Sequence, residues 1–523
     1  MMSQMNGLLR RKLIGRHMLP KKWIHKKTRN NSVYYWNQML VLTNINQTIG
    51  SHLEGSHKSQ SIFKNKNLIS MTEKGLYIIF KNKNLISMTE KGLYIVMPLV
   101  LKSMNKLIDI IDDEMHSIGA QKIAMPSLVS KELWDKSVMP LVLKSMNKLI
   151  DIIDDEMHSI GAQKIAMPSL VSKELWDKSG RWSDSAEELF RLKDRQKTEF
   201  CLAPTHEEVV THLIATAKHL TEIHLPIYLY QITSKFRDEM KAKHGLLRGR
   251  EFVMKDLYTF DANESQAIKT YEKVCNSYEN IFKRLDLPVI KARASVGSIG
   301  GKYSDEFVLP SDLGEDEIYK CNACQTAFNT ELVLNRSDAE CISCKSNDLT
   351  KMNAIEVGHA FLLGNRYSAK FDAKYSSNDT NAKIIYEMGC YGLGVSRILA
   401  ASVEVLSQNH TICWPKALAP FKLCVVLPKR GSKEDTGNGT VFGLQFANCL
   451  SNVLNEDILI DDRTTQTIGR RLTGLQTLGI PYTIIAGKQI TDEMPKFEII
   501  DNQSKQNYFM TQLECIQFLE NLL

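Results

Sequence analysis

"KFRDEMKAKHGLLRGREFVMKDLYTF", residues 235–260, is the stretch on which the reading of this chain turns. With the preceding "LYQITS" it gives two runs that alternate with period two around a loop of Lys and Gly, the pattern of an antiparallel hairpin. At that period Gln231, Thr233, Lys235, Arg237 and Glu239 share one strand face, and Tyr230, Ile232 and Phe236 the other. Arg237 and Glu239 can then aim a fixed cation and a carboxylate at one ligand, while Arg248 precedes Phe252 by four residues on the return. Guanidinium forks suit phosphate oxygens, a carboxylate accepts from an exocyclic amine, and an aromatic ring gives a base a face to stack on. The set suits a nucleoside triphosphate. It also suits a solvated hairpin whose cross-strand ion pairs are worth about 0 to 1 kcal/mol each.

Three further stretches carry chemistry. In "MGCYGLGVSRILAASVEVL", residues 388–406, Gly392 and Gly394 feed a helix whose first turn holds Arg397. Glycines let a ligand approach the backbone, and a helix N-terminus attracts an anion to which Arg397 adds a full charge; helix capping is the plainer reading. In "CLAPTHEEVV", residues 201–210, Thr205 and Glu208 fit a capping box. That leaves Glu207, which with a nearby hydroxyl could hold an ammonium group. Cys321-x2-Cys324 and Cys341-x2-Cys344, 16 residues apart, fit a four-thiolate zinc ribbon.

The totals bound these readings. With 523 residues, 43% hydrophobic and 24% charged, the chain is long enough for two to four folded domains. Nine Lys and Arg fall within the first 30 residues and no acid precedes Glu54, so of the net +7 the leader holds +9 and the rest about −2. Any nucleic-acid surface beyond the leader must be a local patch. The basic, acid-free opening looks like an organelle transit peptide. No apolar run reaches the roughly 18 residues of a membrane-spanning helix. Eleven Cys, an odd count with seven scattered singly, argue against a secreted disulfide framework.

Two tandem duplications interrupt the chain. "FKNKNLISMTEKGLYI" occurs at 63–78 and 80–95, and a 42-residue segment at 96–137 recurs unchanged at 138–179. Two identical copies are not a solenoid, whose repeats are degenerate and more numerous. Each long copy reads as an amphipathic helix, in the second on Val142, Met146, Leu149, Ile150, Ile153, Met157 and Ile160, then Gly161 as a stop and "QKIAMP" as a strand. Only the second runs directly into "GRWSDSAEELFRLKD", so it is expected in the native place with the first displaced. After about residue 418 short strands and helices alternate, implying a separate small α/β domain.

In this order, the motifs resemble those of the class II aminoacyl-tRNA synthetases: "GAQKIAMP" is similar to motif 1, "KFRDE" through "RGREF" to motif 2 and "GLGVSR" to motif 3. Within that class "CLAPTHEE", "QITSKFRDE", "GLLRGREFVMKD", "EVGHAFLLGNRYS" and "MGCYGLGVSR" resemble the prolyl-tRNA synthetases, in particular the short mitochondrial form, over roughly 138–523. The resemblance implies an α/β chain: an α+β catalytic domain on an antiparallel sheet over 138–417, with a small Cys-rich insertion at about 320–352, and a C-terminal α/β anticodon-binding domain over 418–523. The leader occupies 1–60 and the displaced duplicates 61–137.

It further implies that Arg237 binds the α-phosphate and the carboxylate-derived oxygen, Glu239 reads the adenine amine and Phe252 stacks on adenine. Arg248 and Arg397 match the arginines on the β- and γ-phosphates, Thr205 and Glu207 the acceptors for the prolinium nitrogen, and His359 a residue lining the proline pocket. Prolinium has two N–H donors and so asks for two acceptors. The implied ligands are ATP with Mg2+, L-proline and tRNA(Pro), with structural Zn2+ on Cys321, Cys324, Cys341 and Cys344, in a homodimer of the mitochondrial matrix. Lys429, Arg430, Arg463, Arg470 and Arg471 are candidates for tRNA phosphates. Only about 130 residues separate motifs 2 and 3, too few for an editing domain, so cysteine, close to proline in size, is expected to be misactivated. The alternative is a catalytically inactive, synthetase-like nucleic-acid-binding accessory subunit; the presence of Arg237, Glu239 and Arg397 favours the enzyme.

Overall fold

The alternation read at 227–261 forms the expected hairpin: Ile227–Phe236 pairs antiparallel with Glu251–Asp261, Gln231 opposite Asp256 and Lys235 opposite Phe252. The computed structural model describes residues 33–35 and 86–522, apart from 91–92, 119, 121, 125–126, 128–139, 185–186, 218–219, 334–338, 379, 381, 408–410 and 503. The basic leader over 1–30 and the first short repeat at 63–78 lie outside the described residues. No helix among those described is long and apolar enough to cross a membrane.

The hairpin lies within a nine-stranded sheet, ordered Tyr303–Pro310, Ile290–Ala294, Ala327–Asn329, Asp316–Cys321, Leu349–Gly364, Glu387–Gly394, Glu251–Asp261, Ile227–Phe236 and Gln163–Lys164. Pairing is antiparallel except between Ile290–Ala294 and Ala327–Asn329 and at the Gln163–Lys164 edge. Helices Pro140–Ser159, Glu264–Arg284 and Val395–Leu406 cover one face, where Leu149, Ile153, Val274, Tyr278, Leu257 and Ile398 pack in one cluster. The long helix Glu264–Arg284 starts where Asn263 accepts from the Gln266 N–H, a side-chain N-cap. A second cluster, including Trp176, Val210, Leu213 and Phe361, fills the side that carries helix Glu207–Thr216.

Both long duplicates form the same helix, Pro98–Ser117 and Pro140–Ser159, yet only one is packed. Leu149, Ile153 and Met157 are buried, whereas their counterparts 42 residues earlier, Leu107, Ile111 and Met115, are 57%, 49% and 46% exposed. Lys164–Asp154 recurs as Lys122–Asp112, so the intrinsic ion pair survives in both. Contacts outward differ: Arg284 donates to Asp155 and Glu156, and the Tyr230 hydroxyl donates to Asp154. What decides between identical sequences is the chain that follows. Gly180 closes helix Lys173–Ser179 at φ +81° and leads into Arg181, whereas the residue after the first copy is Val138, a β-branched side chain that resists positive φ.

Upstream, the strand Leu93–Val96, whose last residue opens the first copy, bonds to the second: Val96 N–H reaches Ala166 O at 2.9 Å and Ala166 N–H reaches Val96 O at 3.1 Å. The strand that enters the duplication is thus joined directly to the second copy, while the helix Pro98–Ser117 keeps its apolar residues exposed and Ser127 of the first copy reaches back to the Glu251 carboxylate at 2.7 Å. Because the copies are identical, deleting 96–137 or 138–179 gives the same shortened protein. That protein should keep the fold and melt higher, since closing the extra loop costs about 2 to 3 kcal/mol. Calorimetry of the two chains checks this, and a lower Tm for the shortened chain would contradict it.

Beyond residue 418 the strands Ile458–Asp461, Leu423–Val426 and Tyr482–Ile485 run parallel, and Phe497–Asp501 and Asn507–Met510 extend the sheet antiparallel. Val33–Tyr35 adds a parallel edge strand beside Ile458–Asp461. Of the five candidate phosphate contacts, Lys429, Arg430 and Arg470 are exposed. Arg471 is not available: it is fully buried and donates to the carbonyls of Asp461 and Leu427. Arg463 lies against the Asp461 carboxylate at 2.7 and 3.0 Å. These two arginines tie strand ends to helix Ile468–Thr477.

Candidate active site

The central strands open onto a cavity of about 190 Å³ lined by Thr205, Glu207, Arg237, Glu239, Phe252, Glu356, His359, Cys390 and Arg397. Residues spread over nearly 200 positions converge because Glu387–Gly394 lies between the hairpin strand Glu251–Asp261 and Leu349–Gly364. At the strand-to-helix turn Gly394–Val395, a Cβ on Gly394 would come within 3.2 Å of Arg397 Cβ, so the glycine leaves room for that side chain.

Arg237 stands just past its strand, with its guanidinium 5.4 Å from the Phe252 ring centroid. Its Nε is buried without a hydrogen-bond partner among the described residues, as is His359 Nε2. Both face a site where a polar partner would be stabilising. Arg397 is anchored, donating from Nε to Leu247 O at 2.8 Å and from Nη1 to Glu356 O at 3.0 Å and Oε2 at 3.2 Å. Glu356 also meets His359 Nδ1 at 2.9 Å. Burial alone would raise the Glu356 pKa, but the His359 hydrogen bond and the charges of His359, Arg397 and Arg237 hold it to about 2. Its neighbour Glu306 moves the other way, to about 7, through burial and the Glu356 charge.

At the other end of the cavity the Thr205 hydroxyl lies 2.8 Å from both Glu207 oxygens, and Cys390 Sγ donates to Glu207 Oε1 at 3.0 Å. The expected capping box is absent: the residue at the cap is His206, with no side-chain cap, and Thr205 and Glu208 do not bond each other's backbone. Glu208 instead accepts from Ser179 and from Arg181, whose guanidinium also reaches Glu207. Arg181 was not singled out from sequence. Cys390 is a buried thiol whose pKa burial and Glu207 push far up, in keeping with a packing role.

The polar strand face read as ligand-directed is divided in two. Lys235 and Gln231 are buried and donate to Asp256 at 2.8 and 3.0 Å, and the Tyr258 hydroxyl donates to the same carboxylate and accepts from His206 N–H. This network braces the floor under Thr205. Only Arg237 and Glu239 reach the cavity. Arg248 does not line it; it is turned to Glu239 at 2.9 Å and to Glu315.

The four cysteines are gathered in the insertion, with Cys321–Cys344 sulfurs 3.6 Å and Cys324–Cys341 sulfurs 3.5 Å apart, and all four within 4.8 Å. Each Cys-x2-Cys turn is followed by a residue of positive φ, Gln325 at 61° and Lys345 at 64°, so the two loops repeat one conformation. Tetrahedral thiolates about 2.3 Å from zinc sit about 3.8 Å apart. The cluster fits that metal.

Residues 190–406 match the family model described as the tRNA synthetase class II core domain (G, H, P, S and T). A rat protein named "Probable proline--tRNA ligase, mitochondrial" is 47% identical over 81% of this chain and 80% of its own length. The human protein of that name is 45% identical over 80% and 78%. Among solved structures, the Giardia lamblia prolyl-tRNA synthetase in complex with prolyl-adenylate superimposes with a TM-score of 0.62 at 17% identity, covering 75% of this chain and 72% of that one. Identity of this order along four fifths of both partners shows that the chain belongs to the prolyl-tRNA synthetase family of the class II aminoacyl-tRNA synthetases.

Proposed function

We infer that this chain attaches L-proline to tRNA(Pro) through a prolyl-adenylate intermediate. One observation carries the reading: a single cavity presents guanidinium groups at one end and a buried hydroxyl–carboxylate pair at the other. A triphosphate and a cationic amino acid can then lie in line. The proline carboxylate oxygen attacks the α-phosphorus, the P–O bond to pyrophosphate breaks, and pyrophosphate departs with its electron pair. A terminal ribose hydroxyl of the tRNA then attacks the activated carbonyl, and AMP leaves. No protein nucleophile is required; positioning and charge stabilisation lower the barrier.

In this reading Arg237 neutralises the α-phosphate, Phe252 stacks on adenine, Glu239 accepts from its amine, and Arg397 receives the distal phosphates. His359 lines the proline pocket. Arg248, now paired with Glu239 and Glu315, joins the phosphates after leaving those carboxylates. Mg2+ suits the oxygen donors of Glu306 and Glu356, whose ligating atoms lie within 4.8 Å of each other, and when bound it would neutralise phosphate charge. Zinc on the four cysteines would be structural, far from the reacting atoms. The domain beyond 418 would take the anticodon stem, with Lys429, Arg430 and Arg470 on its phosphates. A second copy would pair near the exposed sheet edge at Gln163–Lys164, giving a homodimer. Relatives at 42–47% identity are named mitochondrial, which with the basic leader supports that compartment.

Amino-acid-dependent ATP–pyrophosphate exchange across the twenty amino acids tests the activity. Proline should lead, with cysteine the nearest competitor and alanine, short of two ring methylenes, behind it by at least about 10-fold. Exchange led by another amino acid, or none at all, would overturn the reading.

A further inference from the structure

Arg181, Glu207 and Glu208 are sealed together: each is buried, and one guanidinium serves two carboxylates, at 3.0 Å to Glu207 and 3.1 Å to Glu208. Trp176 and Tyr367 lie 4.8 and 5.8 Å from the guanidinium carbon. With both carboxylates ionised, two negative charges against one positive leave the set one charge short of neutrality. Of the three, only Glu207 reaches the cavity. Burying an uncompensated charge is unfavourable unless something offsets it. Hydroxyl and thiol donors from Thr205, Cys390 and Ser179 soften the deficit without cancelling it.

We propose that Arg181 and Glu208 are specificity-determining positioning residues: they hold Glu207 in a cluster with one surplus negative charge, which a cationic secondary amine completes and a neutral ring of the same shape does not. The proposal rests on the proline reading above and adds the source of the charge preference. Arg181 holds Glu207 ionised against burial; at Glu208 burial and the Glu207 charge push the pKa up while Arg181 opposes them, the strain expected where two carboxylates share one guanidinium. Without Arg181, two adjacent buried carboxylates would take up a proton. Without the Glu208 charge, Arg181 and Glu207 form a closed neutral pair, and the attraction for prolinium falls.

Glu208→Gln tests this, because the amide oxygen can still accept from Ser179 and Arg181 while the charge is gone. In ATP–pyrophosphate exchange the KM for proline should rise about 15- to 50-fold, the effect of one unit charge at roughly 7 to 10 Å in an effective dielectric of about 20. The KM for ATP should stay put. Tetrahydrofuran-2-carboxylate, which replaces the ring ammonium by an ether oxygen, should inhibit wild type and variant equally. Arg181→Lys, which preserves the charge sum, should keep the proline KM within about threefold, well below the Coulomb effect. An unchanged proline KM in Glu208→Gln, parallel losses for proline and the ether analogue, or an equal loss in Arg181→Lys would overturn the proposal. Thermal melts of each variant separate these outcomes from misfolding; if Glu208→Gln does not fold, Arg181→Lys with the same two ligands decides alone. Absence of proline-dependent exchange in the wild type would instead sink the functional reading itself.

Discussion

Arg237→Ala should yield a folded protein that forms prolyl-adenylate about 10³-fold more slowly, with the loss in kcat and little change in Tm. Removing one preorganised donor from a developing charge commonly costs about 10² to 10³ in rate, and Arg237 brings a full charge as well as a donor. The fold has little invested in it: its Nε is buried without a hydrogen-bond partner among the described residues, and its guanidinium lies over the Phe252 ring and within the field of Glu356. Arg397 is a poorer probe of chemistry, because its bonds to Leu247 O and Glu356 also hold the cavity wall. Arg248→Ala should act mainly on the KM for ATP, since that side chain is largely exposed and divided between two carboxylates. Exchange kinetics with a parallel melt make the comparison. Activity of Arg237→Ala within tenfold of wild type would remove the α-phosphate role from this residue.

Where the signal is local, the sequence could be read correctly. Period-two alternation places the hairpin, Gly392 and Gly394 mark the strand-to-helix turn, and Cys spacing predicts the clustering of four sulfurs. Arg181 could not be found that way. It sits 26 residues before Glu207, and its ring neighbours Trp176 and Tyr367 are almost 200 residues apart. Thr205 and Glu208 illustrate the opposite error, since Thr-x-x-Glu before an apolar run is the pattern of a capping box, yet here both side chains turn away from the backbone to buried charges. Arg248 was legible as a cation but not its position outside the cavity, which is set by Glu315 at the mouth of a different strand. Similarly, Arg471 looked like a surface charge until the packing of helix Ile468–Thr477 against Leu423–Val426 buried it. For Arg181, Glu208, Arg248 and Arg471 the missing information is a contact between distant segments, which periodicity does not encode.

In the Cys-rich insertion, removing one small component should do the most damage. Its own core is Tyr319, Cys321, Phe328 and Cys341, with a few partly buried neighbours such as Leu332 and Leu349, too little apolar surface to order a segment of this size unaided. Structural zinc contributes about 10 to 16 kcal/mol to comparable small folds, so the protein should copurify with one zinc per chain by elemental analysis. Chelation, or Cys321→Ser at the buried ligand, should unfold the insertion and expose it to protease. The damage should then spread inward along two routes. Asp316–Cys321 pairs with Leu349–Ala354, the strand that continues to Glu356 and His359, and Asn329 donates to Glu306 at 3.1 Å. Loosening either displaces carboxylates from the end of the cavity that faces Arg397, so adenylate formation should fall by at least about tenfold, as when a supporting contact of a metal or active site is lost. Because the routes reach Glu306 and Glu356 before His359, ATP affinity should fall at least as far as proline affinity. Metal-free protein that retains full exchange activity and the proteolytic resistance of the untreated enzyme would show that the four thiols pack without zinc.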